Sequence, residues 1–181
     1  GESLSMPTAA SKPLLTARVN RLGSNSENFE GSTWAKVNCT ITPNAVLAPD
    51  GTMTGRILTD DATSGEHSVT ANSNQTDITA IRRHSVYAKQ DTGRYLAMNG
   101  YNVLSGSTWT QVFDLETGTI TDNGDPTYFG YGLMEDVGDG WWRCSASTQY
   151  GSANLGYFTF GICNGPTDTD ANYVGTGNRI Y

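Results

Sequence analysis

The order of residues predicts an all-β protein, a β-sandwich of jelly-roll type with little helix. Three observations lead there. Glycine, 21 of 181 residues, joins frequent Thr, Ser, Asn and Asp to interrupt the chain roughly every dozen residues, so no long helix can grow. Between these breakers, apolar and polar side chains alternate with a period of two. The breakers themselves are turn sequences in which Gly takes positive φ and Asp or Asn bonds its own backbone. Many short strands at this spacing fit two sheets that bury their apolar faces against each other.

In chain order, residues 1–22 are small and polar, hold Pro7 and Pro13, and read as a leader or linker. The sandwich domain is expected over residues 23–181. Its first strands are Ala35 to Thr42, Thr54 to Thr59, His67 to Ala71 and Asp77 to Ala80, with a turn at Pro49-Asp50-Gly51. Arg83 to Gln90 is the clearest strand: His84, Val86 and Ala88 alternate with Ser85, Tyr87 and Lys89, one apolar face and one decorated. Tyr95 to Met98, Gln111 to Glu116, Thr119 to Thr121 and Tyr131 to Asp136 follow, with a turn at residues 122–126. After Gly138-Asp139-Gly140, Trp141 to Ser147 sets Trp142, Cys144 and Ala146 against Trp141, Arg143 and Ser145. In Leu155 to Ile162, Phe158, Phe160 and Ile162 form an apolar row, and Tyr157 and Thr159 point away from it.

Eleven Lys and Arg against eighteen Asp and Glu give a charge of -7 and a pI near 4.6. Cations this few and scattered exclude a protein whose main work is neutralising nucleic-acid phosphates. No apolar run is long enough for a membrane helix, and the first fifteen residues lack a signal peptide's basic start and apolar middle. A soluble domain without membrane insertion is expected. Cys39, Cys144 and Cys163, odd in number and irregularly spaced, read as buried free thiols. The sequons at Asn38 and Asn74 matter only in a eukaryotic secretory pathway.

Enzyme signatures are thin. His67 and His84 are the only histidines, and neither stands in a nucleophile motif or beside a second metal ligand at helical spacing. His84 shares its face with Val86 and Ala88, the pattern of a packed, hydrogen-bonded core imidazole. Six glutamates and twelve aspartates always allow some pair at glycosidase spacing, so their presence decides nothing. Gly130-Tyr131-Gly132 lacks the further glycine and helix of a dinucleotide loop. No enzyme is expected.

The blocks SKPLLTARVNRL, SENFEGSTWAK, APDGTMTGRILTDDATSGEHSV, HSVYAKQ, VFDLETG and EDVGDGWWRCSAS, in this order, resemble a module that recurs in bacteriophage tail, fibre and other virion proteins. That module is similar to the galactose-binding-like β-jelly-rolls of carbohydrate-binding modules, including those attached to xylanases and glucanases. The resemblance covers roughly residues 12–181. It implies a non-catalytic carbohydrate-binding module on a virion or extracellular surface, with a polysaccharide as ligand and a homo-oligomer or neighbouring virion protein as partner. It also implies a structural Ca2+, for which Glu30 in Asn28-Phe29-Glu30 matches a ligand position; Asp168 and Asp170 resemble half a calcium loop. In the family the segment matching YVGTGNRIY runs on through a final strand, so a closing strand cut short at Tyr181 is expected, with an open edge that a neighbouring chain could fill. The family often has Tyr at the position of Trp142.

Parity supplies the candidate site. If Val86, Cys144 and Phe158 point inward, then Tyr87, Lys89, Trp141, Arg143 and Tyr157 project outward. Aromatic faces cover the apolar patches of a pyranose, while cationic side chains bond its hydroxyls, a uronate or a sulfate. Two other readings stay open: Trp141 and Arg143 as a structural cation-π pair, and the same face covered by loops or by a neighbouring subunit in a structural or assembly module. A lyase or glycosidase on a jelly-roll would need Tyr, Lys, Arg and His in one cleft.

Overall fold

The computed structural model describes residues 26–73, 81–102, 107–123, 132–149, 156–167 and 172–181. They hold fourteen strands and no helix. In order these are β1 (Trp34–Val37), β2 (Cys39–Val46), β3 (Gly55–Asp60), β4 (Ser64–Glu66), β5 (Ser68–Ser73), β6 (Ile81–Lys89) and β7 (Tyr95–Asn102). The remainder are β8 (Ser107–Asp114), β9 (Thr119–Asn123), β10 (Leu133–Gly138), β11 (Trp141–Gln149), β12 (Gly156–Cys163), β13 (Asn172–Val174) and β14 (Arg179–Ile180). The expected strand over Asp77 to Ala80 falls outside the described residues, as do residues 124–126 of the expected turn at 122–126, whose first two residues instead end β9.

One layer is a six-stranded sheet in the order β1-β5-β12-β7-β8-β9. Facing it are two three-stranded sheets, β10-β11-β6 and β14-β3-β2. The last residues of the chain stitch these two together. Ile180 bridges Gln90, and Lys89 and Tyr181 exchange both backbone hydrogen bonds, at 2.8 and 2.9 Å. Residues 179–181 therefore lie between β3 and β6, where a foreshortened edge was expected. Every pairing is antiparallel, and β13 with β4 forms a small separate ribbon.

The alternation read from the sequence sets the core. Phe158, Phe160 and Ile162 of β12, with Leu96, Met98 and Phe113, meet Ala88, Cys144, Ala146, Leu58 and Ile180 of the opposite layer. Phe29 and Trp34 close one end by packing edge-on against each other and against Phe160. Trp142 joins the core and donates its indole N–H to the Leu115 carbonyl at 2.9 Å, so its buried polar atom is satisfied. His84 is also inside. It stacks on Phe158, with ring centroids 4.4 Å apart, and burial first, then the charge of Arg82, pushes its pKa down to about 4.

Three local features differ from expectation. The strand read as Ala35 to Thr42 is two strands in different layers, because Asn38 adopts φ +48° and donates its side-chain amide to the Glu66 carbonyl at 3.0 Å. The ribbon β4–β13 and the short β14 carry no periodic signal of their own and exist through pairing. Turns with a chemical signature form as read: Gly51 has φ +82° with the Thr52 N–H bonded to Asp50, and Gly138, Asp139 and Gly140 all have positive φ. All three cysteines are free; burial raises the thiol pKa of Cys39 to about 11 and that of Cys144 to about 12.

Candidate functional site

Across β10-β11-β6, residues directly opposite one another share a face. The ladder sets Arg83 opposite Ser147, Ser85 opposite Ser145, Tyr87 opposite Arg143, and Lys89 opposite Trp141. On the other side of β11, Arg143 faces Glu135 and Ser145 faces Leu133. Because Val86, Ala88, Cys144 and Ala146 are turned to the core, this set is turned away from it. Four of the five expected site residues, Tyr87, Lys89, Trp141 and Arg143, are thus brought onto one wall.

Tyr157 is not among them. Its outward parity on β12 is right, but β12 belongs to the six-stranded sheet, so it points away from the opposite side of the sandwich. Parity along a strand tells inside from outside without telling which sheet. On Tyr157's side, Thr159, Thr110 and Ala97 are all buried, and the Thr70 and Thr159 hydroxyls bond each other at 2.7 Å. The platform expected from residues 87, 141 and 157 is corrected to one exposed ring, Tyr87: Tyr157 stands on the other sheet and Trp141 is buried.

The four that do assemble differ in what they offer. The Tyr87 ring is 50% exposed, whereas Trp141 is only 5% exposed despite its outward parity. Lys89 reaches across the β10–β11 turn and donates to the Asp139 carbonyl at 2.6 Å. Arg143 donates one nitrogen to Glu135 at 3.0 Å in a partly exposed ion pair. The pair belongs to the surface, so its own stabilising worth is small.

Three neighbours were not singled out from the sequence. Tyr181 pairs with Lys89 and so lies on the same face; burial, then a hydrogen bond to Asp91, raises its hydroxyl pKa. Arg83 is exposed and donates its Nε to the Ser147 hydroxyl at 3.3 Å. Glu135 is fixed by its ladder position opposite Arg143. The alternation in Arg83 to Gln90 contained the signal for Arg83, but Tyr181 and Glu135 depend on pairings distant in sequence.

Glu30 does not fit a calcium site. The Arg56 Nε donates to both of its carboxylate oxygens at 3.1 Å, and the Lys36 ammonium takes its backbone carbonyl at 2.8 Å, together with those of Gly31 and Trp34. Oxygens that a hard cation would need already serve two cationic side chains. Among the described residues no three His, Cys, Asp or Glu side chains converge as metal ligands. Asp168 and Asp170 lie outside the described residues.

A second polar cluster is internal. The Asp60 carboxylate, 3% exposed, accepts five hydrogen bonds from Tyr173, Thr176, Gly177 and Asn178. His67, fully buried, has its two ring nitrogens 2.8 Å from the Asn38 carbonyl and 3.2 Å from the Tyr173 carbonyl. Their work is to pin the segment around β13 to β2 and β3. No family model matches the chain, and no curated protein matches it.

Proposed function

We propose that this chain is a non-catalytic carbohydrate-binding β-sandwich of jelly-roll type, the module of a phage-type virion or tail protein, and that it holds a surface polysaccharide on the outward face of β10-β11-β6. The observation that carries the reading is the row Glu135–Arg143–Tyr87, which crosses three strands in register and ends in a half-exposed ring. A tyrosine face stacks on a pyranose, and an adjacent guanidinium–carboxylate pair offers both donors and acceptors to its hydroxyls. The virion setting and the extracellular location rest on the sequence blocks alone. Such a shallow site gains useful affinity through many copies, which an appendage supplies.

A panel of immobilised acidic and neutral polysaccharides tests the reading. Retention should be lost in Tyr87→Ala while the melting temperature stays within about 2 °C of the parent, as for other exposed substitutions. A folded protein retained on none of the panel refutes it.

The alternative, a structural or assembly domain that uses the same face for subunit contact, is favoured by one feature. The edge strand β10 exposes Val137 and also Leu133, which shares the face of Tyr87 with β11 between them. Sedimentation separates the two: a stable oligomer dissociated by Leu133→Lys, without any effect of added glycan, supports assembly.

A further inference from the structure

We infer that the ligand of this face is an anionic polysaccharide lying along β6 and β11, whose carboxylate or sulfate groups meet Arg83 and Arg143 while a sugar ring stacks on Tyr87. This rests on the reading of the face as a glycan site and goes further by naming the charge class. Residues 26–181 carry eight Lys and Arg against seventeen Asp and Glu, so a cation on this surface stands out against an acidic body. Three of those eight, Arg83, Lys89 and Arg143, share this one face.

Their partners distinguish them. Arg143 is joined to Glu135 through one nitrogen, which leaves further donors of its planar fork. Arg83 bonds a neutral hydroxyl, and among the described residues no carboxylate pairs with it. Between the two arginines lie Ser85 and Ser145. Ser145 is 1% exposed, and its hydroxyl has no hydrogen-bond partner among the described residues. Ser145 therefore lies beneath the face, and the two guanidinium groups are the donors that separate oxyanions on it meet.

Arg83 and the level of Arg143 are four residues apart along β6, about 13 Å, so a chain with repeated charges, rather than one isolated anion, spans both. At the far end the site closes. The Lys89 ammonium is held by the Asp139 carbonyl, and exposed Asp136 near the end of β10 and Asp139 in the β10–β11 turn would repel an anionic chain.

The test measures binding of the intact protein to alginate and polygalacturonate, which carry carboxylates, to heparin, which carries sulfates as well, and to the neutral glucan laminarin. Retention on the acidic polymers should exceed that on laminarin, weaken as salt rises, and fall about tenfold in Arg83→Gln, the loss of one charge-assisted hydrogen bond. Alginate against heparin distinguishes carboxylate from sulfate. Equal, salt-insensitive retention on laminarin, unchanged in Arg83→Gln, overturns the charge assignment and leaves the glycan site standing. Retention on none of the four by folded protein overturns both.

Discussion

Replacing Asp60 by alanine probes how the C-terminal segment is held beside the candidate face. Oδ1 of Asp60 accepts the backbone N–H groups of Thr176, Gly177 and Asn178 at 3.1, 2.5 and 2.8 Å. Oδ2 accepts the Tyr173 hydroxyl at 2.6 Å and the Asn178 side-chain amide at 3.2 Å. Thr176 and Gly177 are exposed, so water replaces the lost acceptor there; Tyr173 and Asn178 are half-buried and are left with unsatisfied donors. At about 1–3 kcal/mol for each buried orphan, Asp60→Ala should destabilise the fold by about 3–5 kcal/mol. In a domain of this size that lowers the melting temperature by roughly 6–20 °C. Asp60→Asn keeps one acceptor oxygen and should cost about 1–2 kcal/mol. Thermal unfolding followed by circular dichroism reads both, and amide exchange at residues 179–181 should quicken in the alanine variant. If Asp60→Ala melts within about 2 °C of the parent, the segment is held by something other than this carboxylate.

The buried His84 is neutral when folded, so the unfolded chain binds a proton first as the pH falls. Stability should therefore drop between about pH 6.5 and 4, and His84→Phe should flatten that part of a denaturation-versus-pH curve. Asp114 runs on a different window: the hydrogen bonds from Arg94 hold its pKa down to about 2, so its contribution is present above about pH 4 and lost as the pH falls toward 2. Solvent reaches Arg94, which limits that contribution to about 1–2 kcal/mol; Asp114→Asn should remove it and reduce the acid sensitivity. A Cβ on Gly175 would stand 1.8 Å from the Asp61 carbonyl oxygen, so Gly175→Ala should destabilise by about 1–3 kcal/mol in urea unfolding.

The all-β architecture was legible because strand patterning and turn chemistry are local. Residues 83–90 and 141–147 pair in the two-residue rhythm their side chains announce, and Trp142 and His84 turn inward as that rhythm requires. What the sequence could not carry is which sheet a strand joins. Tyr157 has the right parity and sits on the wrong wall, because the place of β12 is decided by its pairings with β5 and β7, distant in the chain. Burial of Trp141 is likewise set by what its neighbours do, since β11 lies between two strands and Lys89 folds over the adjoining turn. The metal expectation at Glu30 gave way to Arg56, 26 residues away, a partner no local motif announces. Asn38 did hold a local clue: asparagine is among the few residues that tolerate positive φ, and there the chain leaves one layer for the other.

The central claim is the location of the ligand, and chemical-shift mapping tests it most directly. On titrating labelled protein with alginate oligosaccharides, the amides that move should cluster on β6 and β11 around residues 83–89 and 141–147, with the guanidinium signals of Arg83 and Arg143 following the same saturation curve. Saturable shifts confined instead to the six-stranded sheet around Tyr157 and Thr159, with β6 and β11 still, would contradict it.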